Sequence, residues 1–305
     1  MSWKGTAERL LKPHYLFRPR QALQRLVRAR RPGGPTRLVE VALPWGLPLR
    51  VDPEEEVGGA IYRLGLYDLA VSEALWRLTD PGDLAVDAGA NLGHMTGLLA
   101  LRAGLSGRVL AFEPHPAVFA DLEANMALLR KDPRAAPVDL VRAALSDAAG
   151  TQRLDPGNDF QANRGLARLV EETASPSTGI SVPTTTLDLA LGERRAAIVK
   201  IDVEGAEGKV LRGAQEALRS GRILHLVYEA YDWNRRELAD LLQTHGYTVF
   251  ALGRTLFGLH LGAADAAPRL PAYEAPSCLA TRDPDRVRAR LRPPGWRVLS
   301  RAAAR

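Results

Sequence analysis

The chain has 305 residues, 46% of them hydrophobic and 25% charged, with a formal net charge of +6. That is enough apolar material for a sizeable core, which excludes global disorder, and no apolar run approaches the ~18 residues of a membrane-spanning helix. The single cysteine, Cys278, excludes an intrachain disulfide framework and a cysteine-based zinc site; with no apolar segment behind the basic N-terminus to act as a secretory signal, a reduced, cytoplasmic setting is expected.

Residues 1–35 read as a basic arm or helix, with Leu10, Leu11, Leu23 and Leu26 as a weak apolar face, closed by the breaker run Arg30-Arg31-Pro32-Gly33-Gly34-Pro35. Residues 36–80 form a lead-in. Alternation over 36–51 predicts a hairpin turning near Pro44-Trp45-Gly46, and Gly59 to Leu78 reads as a helix stopped by Pro81-Gly82-Asp83. Residues 81–281 form the main domain and residues 282–305 a basic tail. Charge gathers at the two ends: residues 1–31 carry nine Lys/Arg against one acid and residues 281–305 eight arginines against two acids, so the body between them is acidic. Such ends could grip an acidic partner or a membrane surface, but solvated arginines are the plainer reading.

Within the main domain, short apolar runs alternate with amphipathic stretches. Strands are predicted at Leu84–Val86, Val109–Phe112, Val138–Leu145, Ala197–Val203 and Ile223–Tyr228, with closing strands at Tyr247–Ala251 and Ser277–Thr281. Helices are predicted over Leu92–Leu105, around Phe119, Leu122, Met126 and Leu129, from Val210 to Leu218, and around Leu238, Leu241 and Leu242. This order predicts an α/β fold: a doubly wound, mostly parallel, Rossmann-like sheet with helices on both faces. Residues 148–187 break the rhythm and read as an insertion with little regular core, a loop or lid beside the site.

In such sheets ligands bind outside the carboxyl ends of the strands. The first such loop is Val86-Asp87-Ala88-Gly89-Ala90-Asn91-Leu92-Gly93. A dinucleotide fingerprint needs glycine at the first, third and sixth positions, and counting from Gly89 those hold Gly89, Asn91 and His94. No P-loop Gly-Lys-Ser/Thr is present, and Asp87 would repel a phosphate. A cationic ligand without phosphate fits better, and S-adenosylmethionine carries an ammonium and a sulfonium. Glu113, in Phe112-Glu113-Pro114 at the end of the second strand, is placed to accept bonds from a ribose diol. Ser146 or Asp147, after the third strand, would meet an adenine amine, and His115 would lie near the adenosine. The plainer alternatives are a helix cap for Asp87, a surface acid for Glu113 and a simple turn at Ser146-Asp147. The fourth strand ends in Lys200-Ile201-Asp202-Val203-Glu204-Gly205-Ala206-Glu207, three acids in six residues, which are costly to bury side by side without a partner. Helix capping by Glu204 and Glu207 is the structural alternative.

Together with Gly65-Leu66-Tyr67-Asp68, Ala111 to Pro116, Ala144 to Asp147 and Thr186-Leu187-Asp188, these segments resemble the FkbM family of S-adenosylmethionine-dependent methyltransferases over about residues 59–215. The resemblance implies a class I methyltransferase fold and O-methylation of a small natural product or of a sugar in a glycan. It implies a donor site built from Tyr67, Asp68, Asp87, Gly89, Ala90, Asn91, Gly93, Glu113, Pro114, His115, Ser146, Asp147 and Asp202. Asp68 departs from the family's usual glutamate. Methyl transfer is an in-line displacement that needs donor and acceptor aligned and a base for the hydroxyl proton. Asp202 is the first candidate base, then Glu207, then Glu229. Asp202 with Glu229 or Asp232 could instead hold a divalent ion, although no metal-ligand spacing marks one. Tyr62, Tyr67, Tyr228, Tyr231 and Trp233 could wall an acceptor pocket for a small-molecule or saccharide hydroxyl. The rival readings are a nucleic-acid or protein methyltransferase using the basic ends, and a non-catalytic interaction protein. Against base methylation, the Asn/Asp-Pro-Pro-aromatic run common in base amino-methyltransferases is absent after the fourth strand, and nucleic acid is not expected as a partner.

Overall fold

In the computed structural model, residues 12–17, 38–157, 160, 164–170, 179–266, 270 and 274–300 are described. The leucines expected on an N-terminal helix face and the breaker run at 30–35 lie outside them. Helix α1 (Pro13–Phe17) is followed by the expected hairpin, β1 (Val39–Ala42) and β2 (Pro48–Val51), with Trp45 of the turn fully buried.

The helix expected over Gly59–Leu78 is two helices, α2 (Glu56–Leu64) and α3 (Leu69–Leu78). Gly65, at φ 88°, caps the first, and Asp68, at φ 44°, accepts the Val71 N–H at 3.0 Å to start the second. A left-handed stop followed at once by an N-cap outweighs the continuous periodicity.

The sheet then builds through β3 (Leu84–Ala88), α4 (His94–Ala103), β4 (Arg108–Phe112), α5 (Pro116–Leu129) and β5 (Val138–Val141). The third predicted strand stops there. Its last residues form β6 (Ala144–Leu145) in a second sheet with β7 (Gly150–Asp155), β8 (Arg168–Val170) and β9 (Ile180–Thr185), ordered β6-β9-β7-β8. The stretch read as an insertion with little regular core is therefore folded, with Leu154 and Val182 buried in it. Pro183, within β9, stands beyond the two residues β9 shares with β6, so its missing N–H breaks no bond to β6.

Next come α6 (Leu187–Leu191), β10 (Ala196–Ile201), α7 (Glu207–Arg212), α8 (Gln215–Arg219), β11 (Ile223–Glu229), α9 (Arg235–Thr244), β12 (Thr248–Arg254), β13 (Leu259–Ala263), β14 (Ser277–Thr281) and α10 (Pro284–Leu291). The single helix expected from Val210 to Leu218 breaks at Gly213, where a Cβ would lie 2.0 Å from the Ser146 carbonyl oxygen. The main sheet has the order β13-β12-β14-β11-β10-β3-β4-β5, parallel from β11 to β5 and antiparallel from β14 outward. Successive residues alternate between two cores: Ala85, Val109 and Ile198 face one, Val86, Leu110 and Val199 the other. Burial on both faces is why the parallel strands are mostly apolar.

Residues 284–299, expected as part of a basic tail, pack against α3. Val287, Leu291, Trp296, Val298 and Leu299 join the core. The buried Glu73 carboxylate accepts the Arg297 and Val298 N–H groups, both at 2.8 Å, while Arg77 pairs with Glu73 and donates to the Arg290, Pro293 and Gly295 carbonyls. Arg286 and Arg290 both pair with Asp80. These arginines are tied into the fold, so net charge alone misjudged this end. Among the described residues no helix is long and apolar enough to cross a membrane.

Candidate active site

After β3 the chain turns towards β4, and after β10 towards β11, on the opposite side. The carboxyl ends of these two neighbouring strands therefore open a crevice. A cleft of about 1350 Å³, counted to its open mouth, lies there. Its floor depends on Gly89: at φ 76°, a Cβ here would sit 1.9 Å from the Asp202 carbonyl oxygen. Only glycine lets the β3 loop approach the end of β10 this closely.

Beneath the loop lies a charged hub. Lys200 is the register partner of Asp87 across the β10–β3 pair. Its ammonium lies 3.2 Å from Asp87 Oδ1 and 3.5 Å from Asp202 Oδ2, and donates to the Gly89 carbonyl at 2.8 Å. Burial opposes that charge, but Asp87 and Asp202 outweigh it and hold the lysine above its ordinary pKa. Asp87 also accepts from Thr96 Oγ1 at 2.6 Å and is 0% exposed. It is thus under the cleft and not on its wall, which corrects the expectation of a ligand-facing acid: the strand register turns it towards Lys200.

Glu113 does face the cleft. Its two oxygens accept the Asn91 and His115 N–H groups at 3.1 and 2.9 Å, and burial pushes its carboxyl up to about 7. Gly89, Ala90, Asn91 and Pro114 join it on the wall, and so do Tyr67 and Asp68. Asp68 is raised to about 7, by burial and then by Glu274. At the far end stand Asp202, whose side chain is 39% exposed, Glu204 and Glu229. Burial, then Asp202 and Glu207, pushes Glu204 up to about 7. Burial, then Asp202, raises Glu229 well above the carboxylate range, and the Tyr231 hydroxyl donates to its Oε1 at 2.8 Å.

Several expected residues fall elsewhere. Glu207 is buried, with one oxygen accepting the Val203 and Gly205 N–H groups, so it ties the loop and does not line the cleft. Gly93 is a packing position, where a Cβ would meet Met126 Cε at 2.6 Å. The His115 ring stacks on Phe160 at 4.2 Å, off the cleft. Ser146 is buried and bonds Asp147 and Gln152, and Asp147 reaches towards Arg212, so Ala143, Ala144 and Leu145 take the wall position expected of them. The cause is the split of the third strand, which turns residues 144–145 into the second sheet. Asp232, with a side chain 92% exposed, pairs with Arg235. Among the described residues no group of three potential ligands that could hold a metal occurs. Of the aromatics, Tyr67 and Tyr228 line the cleft and Trp233 is exposed.

Sequence reasoning passed over Lys200, His94 and Arg164, all on the wall. A lysine in an apolar strand was the available signal, because a buried ammonium demands carboxylates. His94 is pushed down to about 3, by burial and then Lys200, and so is neutral. Arg164 comes from the misread insertion, held by Asp121 at 2.6 Å.

The cleft wall carries more carboxylates than cations, and the Asn91 N–H that might have cradled a phosphate is taken by Glu113. The arrangement suits a cationic ligand and disfavours a dinucleotide. The Methyltransferase FkbM domain matches residues 87–249. The chain is 34% identical over 207 residues to 31-O-demethyl-FK506 methyltransferase FkbM of Streptomyces tacrolimicus, across 58% of this chain and 77% of that protein. It is 29% identical over 194 residues to Methyltransferase sdnD of Sordaria araneosa, across 54% and 73%. Among solved structures, Methyltransferase FkbM from Methylobacillus flagellatus KT aligns at a TM-score of 0.45 and 16% identity, covering 74% of this chain and 48% of that one.

Proposed function

This chain belongs to the FkbM methyltransferase family, and from that premise we propose that it moves a methyl group from S-adenosylmethionine to a hydroxyl of a small natural product or saccharide. The donor supplies an electrophilic methyl on a sulfonium. Glu113 receives the ribose hydroxyls, its charge restored by their hydrogen bonds, and the Gly89–Asn91 backbone lets the donor lie close. Asp68 and Tyr67 close the opposite side.

The observation that carries the hydroxyl reading is the pair of unlike carboxyl groups at the far end. Asp202 is part-exposed and anchored by Lys200, whereas Glu229 is buried, raised and held by Tyr231. Two acids in environments that differ this much divide acid and base work. Asp202 takes the acceptor proton, and neutral Glu229 orients the acceptor oxygen by donating to it. Glu207, beneath the loop, takes no part. A nucleic-acid or protein acceptor drew on the basic ends, and α10 now shows two of those arginines, Arg286 and Arg290, paired with Asp80.

The test is calorimetric titration of S-adenosylhomocysteine, together with methyl-transfer turnover against a hydroxyl-acceptor panel, for wild type and Asp202→Asn. The variant should keep its affinity within about tenfold, ~1.4 kcal/mol, and lose ~10²–10⁴-fold in kcat. An unchanged kcat would remove Asp202 as the base.

A further inference from the structure

The second sheet is rooted in the main domain at one edge. Its strand β6 begins at Ala144, just past the end of β5 at Val141, and β9 ends at Thr185, just before α6 at Leu187. Among the described residues β8 is the outermost strand and pairs with β7 alone. That far edge nevertheless builds the cleft. Leu154 and Leu169, register partners across β7 and β8, line it together with Gly165 and Ala167. Phe112 and Pro114, on either side of Glu113, are apolar residues that the main sheet adds. With Glu113 receiving the ribose, this apolar part suits the flat, uncharged base of the donor.

An edge this far from its root needs a tie, and two side-chain contacts supply it. Arg164, in the 3-10 turn Arg164–Leu166 that leads into β8, donates from Nη1 to Asp121 Oδ2 of α5 at 2.6 Å. The Phe160 ring packs on His115, the residue before α5. Both ties land on the amino-terminal half of α5, next in the chain after the Glu113–Pro114 wall. Arg164 itself borders the cleft and Asp121 does not, so the acid reaches a donor there only through the arginine. The two side chains are 22% and 31% exposed, so salt can weaken the pair. Pairing also takes up the arginine's charge, which would otherwise oppose a cationic donor.

We propose that Arg164 and Asp121 are positioning residues for the donor: their ion pair fastens the outer edge of the second sheet over the adenosine half of the cleft, and so sets how long the donor and its spent product stay bound. The proposal rests on the methyltransferase reading above.

The experiment follows release of S-adenosylhomocysteine from the immobilised full chain by surface plasmon resonance. It compares wild type, Asp121→Asn, Arg164→Gln and the double variant at about 50 and about 500 mM NaCl. Asp121→Asn should release the ligand about twofold to fivefold faster at low salt, the range of a part-exposed ion pair, with association changed less. Adding Asp121→Asn to Arg164→Gln should change nothing further, because the acid acts through the arginine. Raising the salt should speed release from the wild type and leave Asp121→Asn nearly level. Ligand-free melting midpoints should stay within about 3 °C of wild type, which separates fastening the wall from holding the fold; Asp121→Ala replaces a variant that melts lower. Unchanged release from Asp121→Asn, losses that multiply in the double variant, or an equal salt response in wild type and Asp121→Asn would each overturn the assignment. Failure of S-adenosylhomocysteine to bind the wild type would instead sink the methyltransferase reading beneath it.

Discussion

Replacing Lys200 by methionine keeps the length of the side chain and removes its charge. Asp87 is then left fully buried with Thr96 as its one side-chain partner. Breaking a buried ion pair from one side typically costs ~3–5 kcal/mol, because the remaining charge is uncompensated. Loss of the bond to the Gly89 carbonyl adds to this. Urea denaturation by linear extrapolation should therefore show Lys200→Met destabilised by ~3–5 kcal/mol with a near-normal m-value. The double variant Asp87→Asn/Lys200→Met should recover ~1–3 kcal/mol of that loss, since the stranded charge is gone. The pH dependence follows from the raised lysine pKa. The folded chain holds this proton more tightly than the unfolded chain, whose ordinary value is 10.5. Its contribution is thus fully present below that value and is lost as pH rises past it towards the folded pKa. The gap between wild type and variant should stay level through neutral pH and narrow only under strong alkali. A loss below ~1 kcal/mol, or a double variant no more stable than the single one, would refute a charged hub beneath the loop.

Glu113→Gln should move stability and binding in opposite directions. Burial raises Glu113 from 4.5 to about 7, so the folded chain binds the extra proton and loses stability as pH climbs through that window. The variant escapes this loss, gaining up to ~3 kcal/mol over wild type at pH 8 and nothing at pH 4, while its S-adenosylhomocysteine affinity drops about tenfold; a destabilised variant at pH 8 with normal affinity would contradict both halves. Glu73→Gln strands the buried Arg77 charge and leaves only one oxygen for the N–H groups of Arg297 and Val298, each of which now has its own. It should cost ~3–5 kcal/mol and speed tryptic cleavage at the arginines beyond residue 284; wild-type resistance would mean that α10 is held by its apolar residues alone. Gly89→Ala forces a Cβ into the Asp202 carbonyl and should abolish calorimetric S-adenosylhomocysteine binding; binding within tenfold of wild type would show that the loop can retreat.

Much of the architecture is local in origin, and so could be read without coordinates. The apolar runs at Leu84, Val109, Ala197 and Ile223, with amphipathic stretches between them, impose parallel strands covered on both faces, because each run has no polar side to show to water. A strand-to-helix loop carrying Gly89, and Glu113 at the next strand end, follow from chain order alone. What tertiary structure decided is which acids look at the ligand. Asp87 and Lys200 are 113 residues apart and meet because β3 and β10 pair in one particular register, which no periodicity specifies. The same register turns Asp87 under the loop and leaves Asp202 on the cleft. Glu207 was an acid near the right place, but backbone N–H groups two and four residues earlier captured it. The second sheet depends on long-range pairing of β6 with β9, whose register partners are 40 residues apart, and its turn-rich connections hid its strands. Local contacts within a few residues choose helix, strand and turn. Side-chain direction at a site depends on what the neighbouring strand places opposite, and only the folded chain supplies that.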